Sequence, residues 1–600
     1  MHITNLTITQ LLQNYRNNDF TPFELIENLL TKANEFKEYN SWIYLMEIEE
    51  IQPYLDTLEG KSPKELPLFG IPFAIKDNID LKGIPTTAAC KAFSYIPNES
   101  AFVVQKLIDA GALPIGKTNL DQFATGLVGT RSPYGATKNS FNPDYISGGS
   151  SSGSAVVVAQ GIVSFSLGTD TAGSGRVPAA FNNIIGLKPS RGLLSNSGVV
   201  PACQTLDCVA VFATTAQDLY TLFNLMAKHD PKDPYSRQNP VSNQSTKMTS
   251  LPFTFAVPKP EQLEFFGNEQ YSLLFTKTIT ELEKLGGIKK EIDFMAFINA
   301  AKLLYEGPWV TERYIACETI IEEQPEALLD VTRKIIESGK DNLATDAFNA
   351  QYKLQACKQI TDALFAECDF LLTPTAGTTY TIDEVKNDPI QLNSNLGYYT
   401  NYMNLLDYAS IAMPAGFTSD GMPFGVTFVS TAFSDNKLLA YVNLLQQSLQ
   451  ITLGATKQAL PNLIAIEQNS DDMINIVVCG AHMSGLPLNY QLTERDAILF
   501  KKCKSSDNYK LFALPGCPPE RPGMIRVNQA GKAIAVEVWQ MPTENFGSFL
   551  VEIPHPLGLG KVELDDGSWQ QGFICESYIE AQSIDISDFG GWRNYINTSA

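Results

Sequence analysis

Hydrophobic residues recur at helical spacing in the first 60 residues of the chain. One series occupies residues 11–15 and a second occupies residues 25–30. Residues three and four apart share one face of a helix, so each series predicts an amphipathic helix. Thr21 before Pro22 predicts the start of the second helix, because threonine caps free N–H groups and proline fits the first turn. We therefore expect a helical segment over residues 1–60.

From residue 68 onward, short hydrophobic runs alternate with helical stretches. The runs predict strands at residues 72–75, 113–115 and 163–167, and the stretches predict helices at residues 101–110 and 154–159. Alternation of this kind is typical of an α/β domain with a parallel or mixed sheet. Residues 270–370 read as helical, and strands are expected again at residues 370–374 and 425–429.

A polar stretch over residues 456–472 separates this domain from a second one. It contains Pro461 and ends on a run of polar residues, which is typical of a linker. Short hydrophobic runs divided by proline and glycine then predict a small β-rich domain, with strands at residues 474–478, 524–527, 533–538 and 572–575. We expect a first domain over residues 1–455, the linker, and a second domain over residues 473–600.

The length and charge of the chain limit its function classes. A single hydrophobic core rarely exceeds about 250–300 residues, so a chain of 600 residues should hold at least two domains. The formal net charge of −21 argues against binding to nucleic acid or to an anionic membrane. An anionic substrate would therefore need a local cationic pocket.

Targeting and metal signals are missing from the sequence. The N-terminus lacks a signal-peptide pattern, and no hydrophobic run reaches the roughly 18 residues of a membrane span. The ten cysteines are scattered, without C-x-x-C pairs or cysteine–histidine clusters. We expect free thiols, a cytoplasmic protein, and neither a metal nor another cofactor.

Glycine and serine are concentrated in two neighbouring segments, residues 147–154 and 168–176. Glycines let backbone N–H groups converge on a small anion, either a phosphate or an oxyanion. A phosphate-binding loop would close on Lys-Ser or Lys-Thr, and neither pair follows here. A flexible linker is also excluded, because hydrophobic runs lie between the two segments.

Residues 148–192 closely match the signature of a known family. The chain resembles the amidase signature family over about residues 68–450, which implies the amidase signature fold, a mixed β-sheet surrounded by helices. By this resemblance Ser174 is the nucleophile, Ser150 the bridging serine and Lys76 the catalytic lysine. The 24 residues between the two serines agree with the family pattern.

A lysine base is chemically consistent with this set. Serine attacks only after a base removes its proton, and none of the four histidines lies near the block. The pKa of Lys76 must fall from its usual value of about 10.4 towards neutrality, through burial and nearby positive potential. Ser150 would pass the proton from Ser174 to Lys76 and later to the leaving nitrogen.

Residues beside the nucleophile are expected to support the reaction. Backbone N–H groups of Thr171, Ala172 and Gly173 would stabilise the oxyanion of the tetrahedral intermediate. For Asp170 and Arg176, immediately around them, we expect a structural role in the turn.

The helical insert resembles the segment with which allophanate hydrolases hold the carboxylate of their substrate. The match covers residues 304–314 and places Tyr305 and Arg313 in that role. Arginine suits a small planar carboxylate, because its donors form a fixed fork. Gly129 is the third predicted substrate-binding residue.

The tail over residues 473–600 resembles the C-terminal domain of allophanate hydrolases, which is similar in fold to γ-glutamyl cyclotransferases. The closest piece is residues 478–489. The resemblance implies release of ammonia from allophanate, followed by decarboxylation of the product to carbon dioxide and ammonia overall. His482 is the candidate residue of the second domain, because it could supply a proton or stabilise charge.

Three other interpretations stay open at this point. A general amidase and a glutamyl-tRNA amidotransferase-type subunit would carry the same signature, and an inactive scaffold would need a broken Ser-Ser-Lys set. No biotin-carrier lysine is found, so we expect the free-standing hydrolase rather than a fused urea amidolyase. The resemblance also implies a homodimer, and we expect the apolar stripes of residues 1–60 to be incompletely covered by the catalytic core.

Overall fold

The computed structural model of the chain describes residues 5–244, 252–461, 473–495, 497–516 and 518–599. These residues form two compact units. The first contains residues up to 461 apart from the segment 240–244, and the second contains that segment and residues 473–599. None of the helices in the described part of the chain combines the length and hydropathy of a membrane span.

The first unit consists of helices around one large sheet. Its helices are α1 (Ile8–Asn17), α2 (Pro22–Glu35), α3 (Ile48–Asp56), α4 (Phe102–Asp109), α5 (Ser152–Ala159), α6 (Val177–Phe181), α7 (Ala216–Met226), α8 (Glu269–Lys284), α9 (Met295–Glu306), α10 (Val310–Glu323), α11 (Asp330–Glu337), α12 (Ala344–Leu364), α13 (Ile382–Asn387), α14 (Gln391–Leu396), α15 (Tyr402–Leu405) and α16 (Asp435–Leu449). Its strands are β1 (Trp42–Leu45), β2 (Pro72–Lys76), β3 (Leu113–Thr118), β4 (Phe165–Asp170), β5 (Ile185–Lys188), β6 (Cys208–Ala213), β7 (Phe253–Pro258), β8 (Gly287–Ile292), β9 (Phe370–Pro374), β10 (Tyr408–Phe417) and β11 (Pro423–Thr431).

The sheet of this unit is mixed, as expected. Its strand order among the described residues is β1-β3-β2-β4-β6-β5-β10-β11-β9-β7-β8. β2 pairs in parallel with both β3 and β4, whereas β4 and β6 are antiparallel. The central strands β2, β4, β5 and β6 are buried along their whole length, which explains their unbroken hydrophobic runs.

The N-terminal segment packs against this core more completely than we expected. Thr21 and Glu24 form a capping box at the start of α2, beside Pro22 in the first turn. The apolar faces of α1 and α2 are buried in the main hydrophobic core, so the expected uncovered stripes are absent there among the described residues. The segment also contributes β1, which the helical interpretation missed.

The second unit is β-rich. Its strands are β12 (Met473–Val478), β13 (Ile498–Lys504), β14 (Tyr509–Ala513), β15 (Pro522–Arg526), β16 (Ala535–Pro542), β17 (Leu557–Glu563), β18 (Trp569–Cys575) and β19 (Ile584–Asp585), and its helices are α17 (Tyr490–Thr493), α18 (Thr543–Val551) and α19 (Trp592–Ser599). The order β13-β16-β12-β18-β17 forms one described sheet, and β15-β14-β19 forms another.

The strands of the second unit can be compared with those that the hydrophobic pattern predicts. The predicted runs correspond to β12, β15, β16 and β18, but β13, β14, β17 and the two-residue β19 were missed. All residues of β13, and all of β17 except Val562, are at least partly exposed, so neither strand has the continuous buried run that the pattern detects. Of the expected linker, residues 462–472 lie outside the described residues.

Candidate active site

Three candidate residues lie around the carboxyl ends of two neighbouring strands. Lys76 is the last residue of β2, and Ser174 follows the end of β4 by four residues. The two strands pair in parallel, with Ile75 opposite Leu167, so both end at the same edge of the sheet. Ser150 precedes α5. The hydroxyl of Ser151 donates to the carbonyl of Thr169 near the end of β4, and that of Ser154 donates to the carbonyl of Leu167, so the start of α5 lies at this edge.

Lys76 makes two hydrogen bonds in a fully buried environment. Its Nζ donates to Ser150 Oγ at 2.8 Å and to Thr169 Oγ1 at 2.7 Å. Asn78 Nδ2 also donates to Thr169 Oγ1, at 3.4 Å. Lys76 and Ser150 have no exposed surface, and Ser174 is 3% exposed. Thr169 therefore holds the amine while Ser150 lies within the distance that proton transfer requires.

Burial lowers the pKa of Lys76 to about 7. An ammonium ion loses its hydration inside the protein, so the neutral amine is favoured. The nearby carboxylates, chiefly Asp121, act in the opposite direction, whereas the positive charge of Arg313 lowers the pKa further. The amine can therefore accept a proton near neutral pH.

The turn that carries Ser174 is built on a buried ion pair. Asp170 accepts hydrogen bonds from the N–H groups of Gly173 and Gly175, each at 2.9 Å. It also accepts two from the guanidinium of Arg176, at 2.8 and 2.9 Å, and both side chains are completely buried. Removing one partner of such a pair typically costs about 3–5 kcal/mol, so the pair fixes the turn. This arrangement gives Asp170 and Arg176 the structural role that we expected.

The same ion pair involves part of the predicted oxyanion hole. The N–H group of Gly173 donates to Asp170 in this structure, so it serves the oxyanion only if this hydrogen bond is shared or exchanged. Gly173 is required for another reason, since it has φ +136° and a Cβ there would lie 2.5 Å from Thr400 Oγ1. The predictions for Thr171 and Ala172 stand, and the hydroxyl of Thr171 is fixed by a hydrogen bond to Asp207.

The loop around Gly129 is shaped by a buried aspartate. Asp121 accepts hydrogen bonds from the N–H groups of Val128 at 3.2 Å, Gly129 at 3.0 Å and Arg131 at 2.9 Å. Gly129 has φ +73°, and a Cβ there would lie 2.5 Å from Ser147 Oγ. Its N–H group donates to Asp121, and its carbonyl oxygen accepts a hydrogen bond from the N–H group of Thr137 at 2.9 Å. A substrate contact at Gly129 stays a prediction, which would use the second lone pair of this carbonyl oxygen.

Arg313 is buried beside Tyr305 rather than exposed on a helix surface. Its side chain is 2% exposed, and its guanidinium carbon lies 5.7 Å from the centre of the Tyr305 ring. One guanidinium nitrogen donates to Thr125 Oγ1 at 3.0 Å and to the carbonyl of Ala124 at 3.2 Å. The structure therefore brings the two predicted carboxylate contacts together, on α9 and α10.

Comparison with known proteins assigns both parts of the chain. Residues 24–439 match the family model Amidase. The chain belongs to the amidase family. Residues 474–597 match a second model, the allophanate hydrolase C-terminal domain.

Individual relatives agree with these matches. The chain is 43% identical to the urea amidolyase of Saccharomyces cerevisiae over 588 residues, which cover 95% of this chain and 32% of that protein. The structure of Kluyveromyces lactis allophanate hydrolase is 42% identical, with a TM-score of 0.76, and the match covers 99% of each chain. A glutamyl-tRNA(Gln) amidotransferase subunit from Streptococcus pneumoniae is 31% identical, over 73% of this chain and 95% of that protein. The chain thus spans about a third of the urea amidolyase.

The amidase domain also contains site residues that sequence reasoning missed. Thr169, Asn78 and Asp121 hold Lys76 or the neighbouring loop. Thr169 was visible inside the glycine-rich segment, and a buried lysine needs such hydroxyl partners. Asp121 carried no comparable signal, because its partners are backbone groups that only the folded loop supplies.

In the second unit, His482 lies in an aromatic cluster. Its ring stacks on Phe573 at 5.1 Å and meets Phe549 edge to face at 5.5 Å. Its Nε2 lies 2.8 Å from Gln491 Oε1. Burial lowers the pKa of His482, so the ring is neutral at and above neutral pH.

Proposed function

We propose that this amidase hydrolyses allophanate and releases ammonia. The observation that carries the proposal is the buried guanidinium of Arg313, whose positive charge lowers the pKa of Lys76, the hydrogen-bond partner of Ser150. A small molecule that carries a carboxylate and an amide suits these groups. The guanidinium would bind the carboxylate, and the amide would face the catalytic residues. The likeness to Kluyveromyces lactis allophanate hydrolase over both units supports the same substrate.

The proposed mechanism begins with attack of Ser174 on the amide carbonyl. Its proton passes to Ser150, whose own proton goes to the neutral amine of Lys76. The N–H groups of Thr171 and Ala172 stabilise the oxyanion. Collapse of the intermediate breaks the C–N bond, and the relay returns the proton to the departing ammonia. Water then attacks the acyl-enzyme by the same relay and releases the dicarboxylated product.

Ammonia release from a panel of substrates tests the proposal. The panel contains allophanate, urea, biuret and simple aliphatic amides, each measured at several concentrations. We expect allophanate to have the highest kcat/KM. A preference for neutral amides would instead favour a general amidase, and activity confined to a tRNA-bound acid would favour an amidotransferase subunit.

Replacing Arg313 by lysine should impair allophanate hydrolysis selectively. Lysine keeps the positive charge but not the two-pronged donor geometry, so the carboxylate loses one of its hydrogen bonds. Such a bond to a charged group is worth about 1.5–3 kcal/mol, which corresponds to a loss of roughly tenfold or more in kcat/KM. The same variant assayed on a neutral amide is the control. An equal loss on both substrates would show that Arg313 does not bind the carboxylate.

We further propose that residues 473–600 act on the product of the amidase domain, residues 1–455. His482 is neutral at alkaline pH, where spontaneous decarboxylation is slow, so its contribution should be visible there. His482→Ala should leave ammonia release unchanged and slow carbon dioxide release at about pH 8–9. His555→Ala, at an exposed histidine of the same unit, is the matched control. Superimposable time courses in mutant and wild type would leave His482 only a structural role.

A homodimer formed through the amidase domain is also part of the proposal. The apolar faces of α1 and α2 are buried and cannot serve it, but hydrophobic side chains on and before α12 are exposed. They are Leu343 at 66%, Phe348 at 57% and Tyr352 at 69%. Phe348 and Tyr352 lie one turn apart on the same face. Sedimentation velocity should give twice the mass of one chain, and Tyr352→Glu should lower it to that of a monomer.

A further inference from the structure

A second buried arginine, Arg131, lies in the loop shaped by Asp121. It is 3% exposed. Its guanidinium donates to the carbonyl of Thr125 at 2.9 Å and to that of Pro389 at 2.6 Å. Its backbone N–H donates to Asp121, and the carbonyl accepts a hydrogen bond from Gln122. Arg131 therefore links its own loop to residues 121–125 and to Pro389.

Thr125 connects this arginine to Arg313. The Thr125 carbonyl accepts the hydrogen bond from Arg131, while its hydroxyl accepts one from Arg313. Thr125 is itself 1% exposed, so neither contact is replaced by water. A change in the position of Arg131 should therefore shift Thr125, whose hydroxyl orients the Arg313 guanidinium.

The charges around Arg131 indicate an anionic ligand nearby. Arg131 and Arg313 are close enough for their like charges to repel, and both also interact electrostatically with Tyr305. Asp121 interacts with Arg131, but its carboxylate already accepts three backbone hydrogen bonds. The buried Nε of Arg131 has no hydrogen-bond partner among the described residues. Asp207 offsets part of the charge of Arg313, as Asp121 does for Arg131. The unused Nε donor of Arg131 still costs free energy in a buried site unless an anion binds beside it.

We propose that Arg131 is a positioning residue, which acts through Thr125 to orient Arg313 and so sets the preference for substrates that carry a carboxylate. This role rests on the proposed function, because it concerns the carboxylate of the same substrate. Arg131 does not contact the reacting atoms, so its loss should raise KM for the anionic substrate more than it lowers kcat.

Steady-state kinetics of the full chain test the positioning role. The variants are Arg131→Gln, Thr125→Val, Arg313→Met and the double variant of both arginines, with allophanate and the neutral diamide malonamide as substrates. We expect Arg131→Gln and Thr125→Val each to raise KM for allophanate about tenfold, with kcat changed less than about threefold and malonamide hydrolysis little affected. Thr125→Ser should recover most of the loss seen in Thr125→Val.

The double variant separates positioning from a general structural effect. If Arg131 acts through Arg313, Arg131→Gln should have no further effect on KM once Arg313 is methionine, so the two changes are non-additive. Additive effects, or equal losses on both substrates, would overturn the proposal. Arg333→Gln, at an arginine of α11 in a surface ion pair, is the control and should match wild type. If Arg131→Gln does not fold, Arg131→Lys takes its place, because lysine keeps the charge but cannot reproduce the paired donors to the Thr125 and Pro389 carbonyls.

Failure of the positioning role is distinguishable from failure of the proposed function. A wild-type enzyme that does not hydrolyse allophanate would contradict the function itself. If wild type hydrolyses allophanate and Arg313→Met raises its KM, but Arg131→Gln and Thr125→Val do not, only the positioning role is wrong.

Discussion

Ser174→Ala is expected to abolish ammonia release from allophanate. Alanine cannot form the acyl-enzyme, and removal of a catalytic nucleophile typically costs on the order of 10³-fold or more in kcat. The turn should keep its shape, because its hydrogen bonds run between Asp170, Arg176 and the flanking backbone. The measurement is the initial rate of ammonia production at saturating allophanate, normalised to folded enzyme.

Ser154→Ala is the matched control for this experiment. Ser154 lies in the same glycine- and serine-rich stretch and is fully buried, but its hydroxyl donates to the carbonyl of Leu167 inside the fold. We expect this variant to stay within about tenfold of wild type, since it loses two internal hydrogen bonds, to the Leu167 carbonyl and the Thr118 hydroxyl. Ser174→Ala with comparable activity would show that another residue is the nucleophile.

Ser150→Ala should also cause a large loss of activity. Its effect should be non-additive with that of Ser174→Ala, because the two residues act as one unit.

Lys76→Met should reduce kcat/KM by about 10²- to 10⁴-fold, the usual contribution of a general base. Lys76→Arg separates the base from the charge, since arginine keeps the positive charge and does not deprotonate in proteins. It should be as inactive as Lys76→Met. Lys82→Met, at an exposed lysine six residues further along the chain, should behave as wild type. Substantial activity in Lys76→Arg would contradict the role of a neutral amine.

The pH dependence of wild type reports the same base. The folded-state pKa of Lys76 is about 7, so the amine is protonated below this pH and cannot accept the proton of Ser150. kcat/KM should therefore fall about tenfold per pH unit below the inflection and level off above it. Measuring kcat/KM from about pH 5.5 to 9 checks the direction of this dependence. A flat profile across this range would indicate that Lys76 is not the base.

The sequence by itself determined the elements and the chemistry that depend on local order. Buried strands such as β2 and β4 can be recognised in the sequence as hydrophobic runs, because every side chain along them is buried. The cap at Thr21 is a contact between residues three apart. Ser150 and Ser174 stand in one continuous signature, and the amidase family and both domain types followed from such stretches.

Only the tertiary structure decided how distant residues meet. Lys76 and Ser150 are 74 residues apart. They meet because β2 pairs with β4 and the start of α5 packs against β4, which no local pattern encodes. The same burial lowers the pKa of Lys76, since desolvation depends on everything packed around the amine. Tertiary packing also brings Arg313 to Thr125, 188 residues away, whose carbonyl accepts a hydrogen bond from Arg131. Residue types and spacing specify which groups can react, whereas their protonation and partners depend on packing that only the whole fold provides.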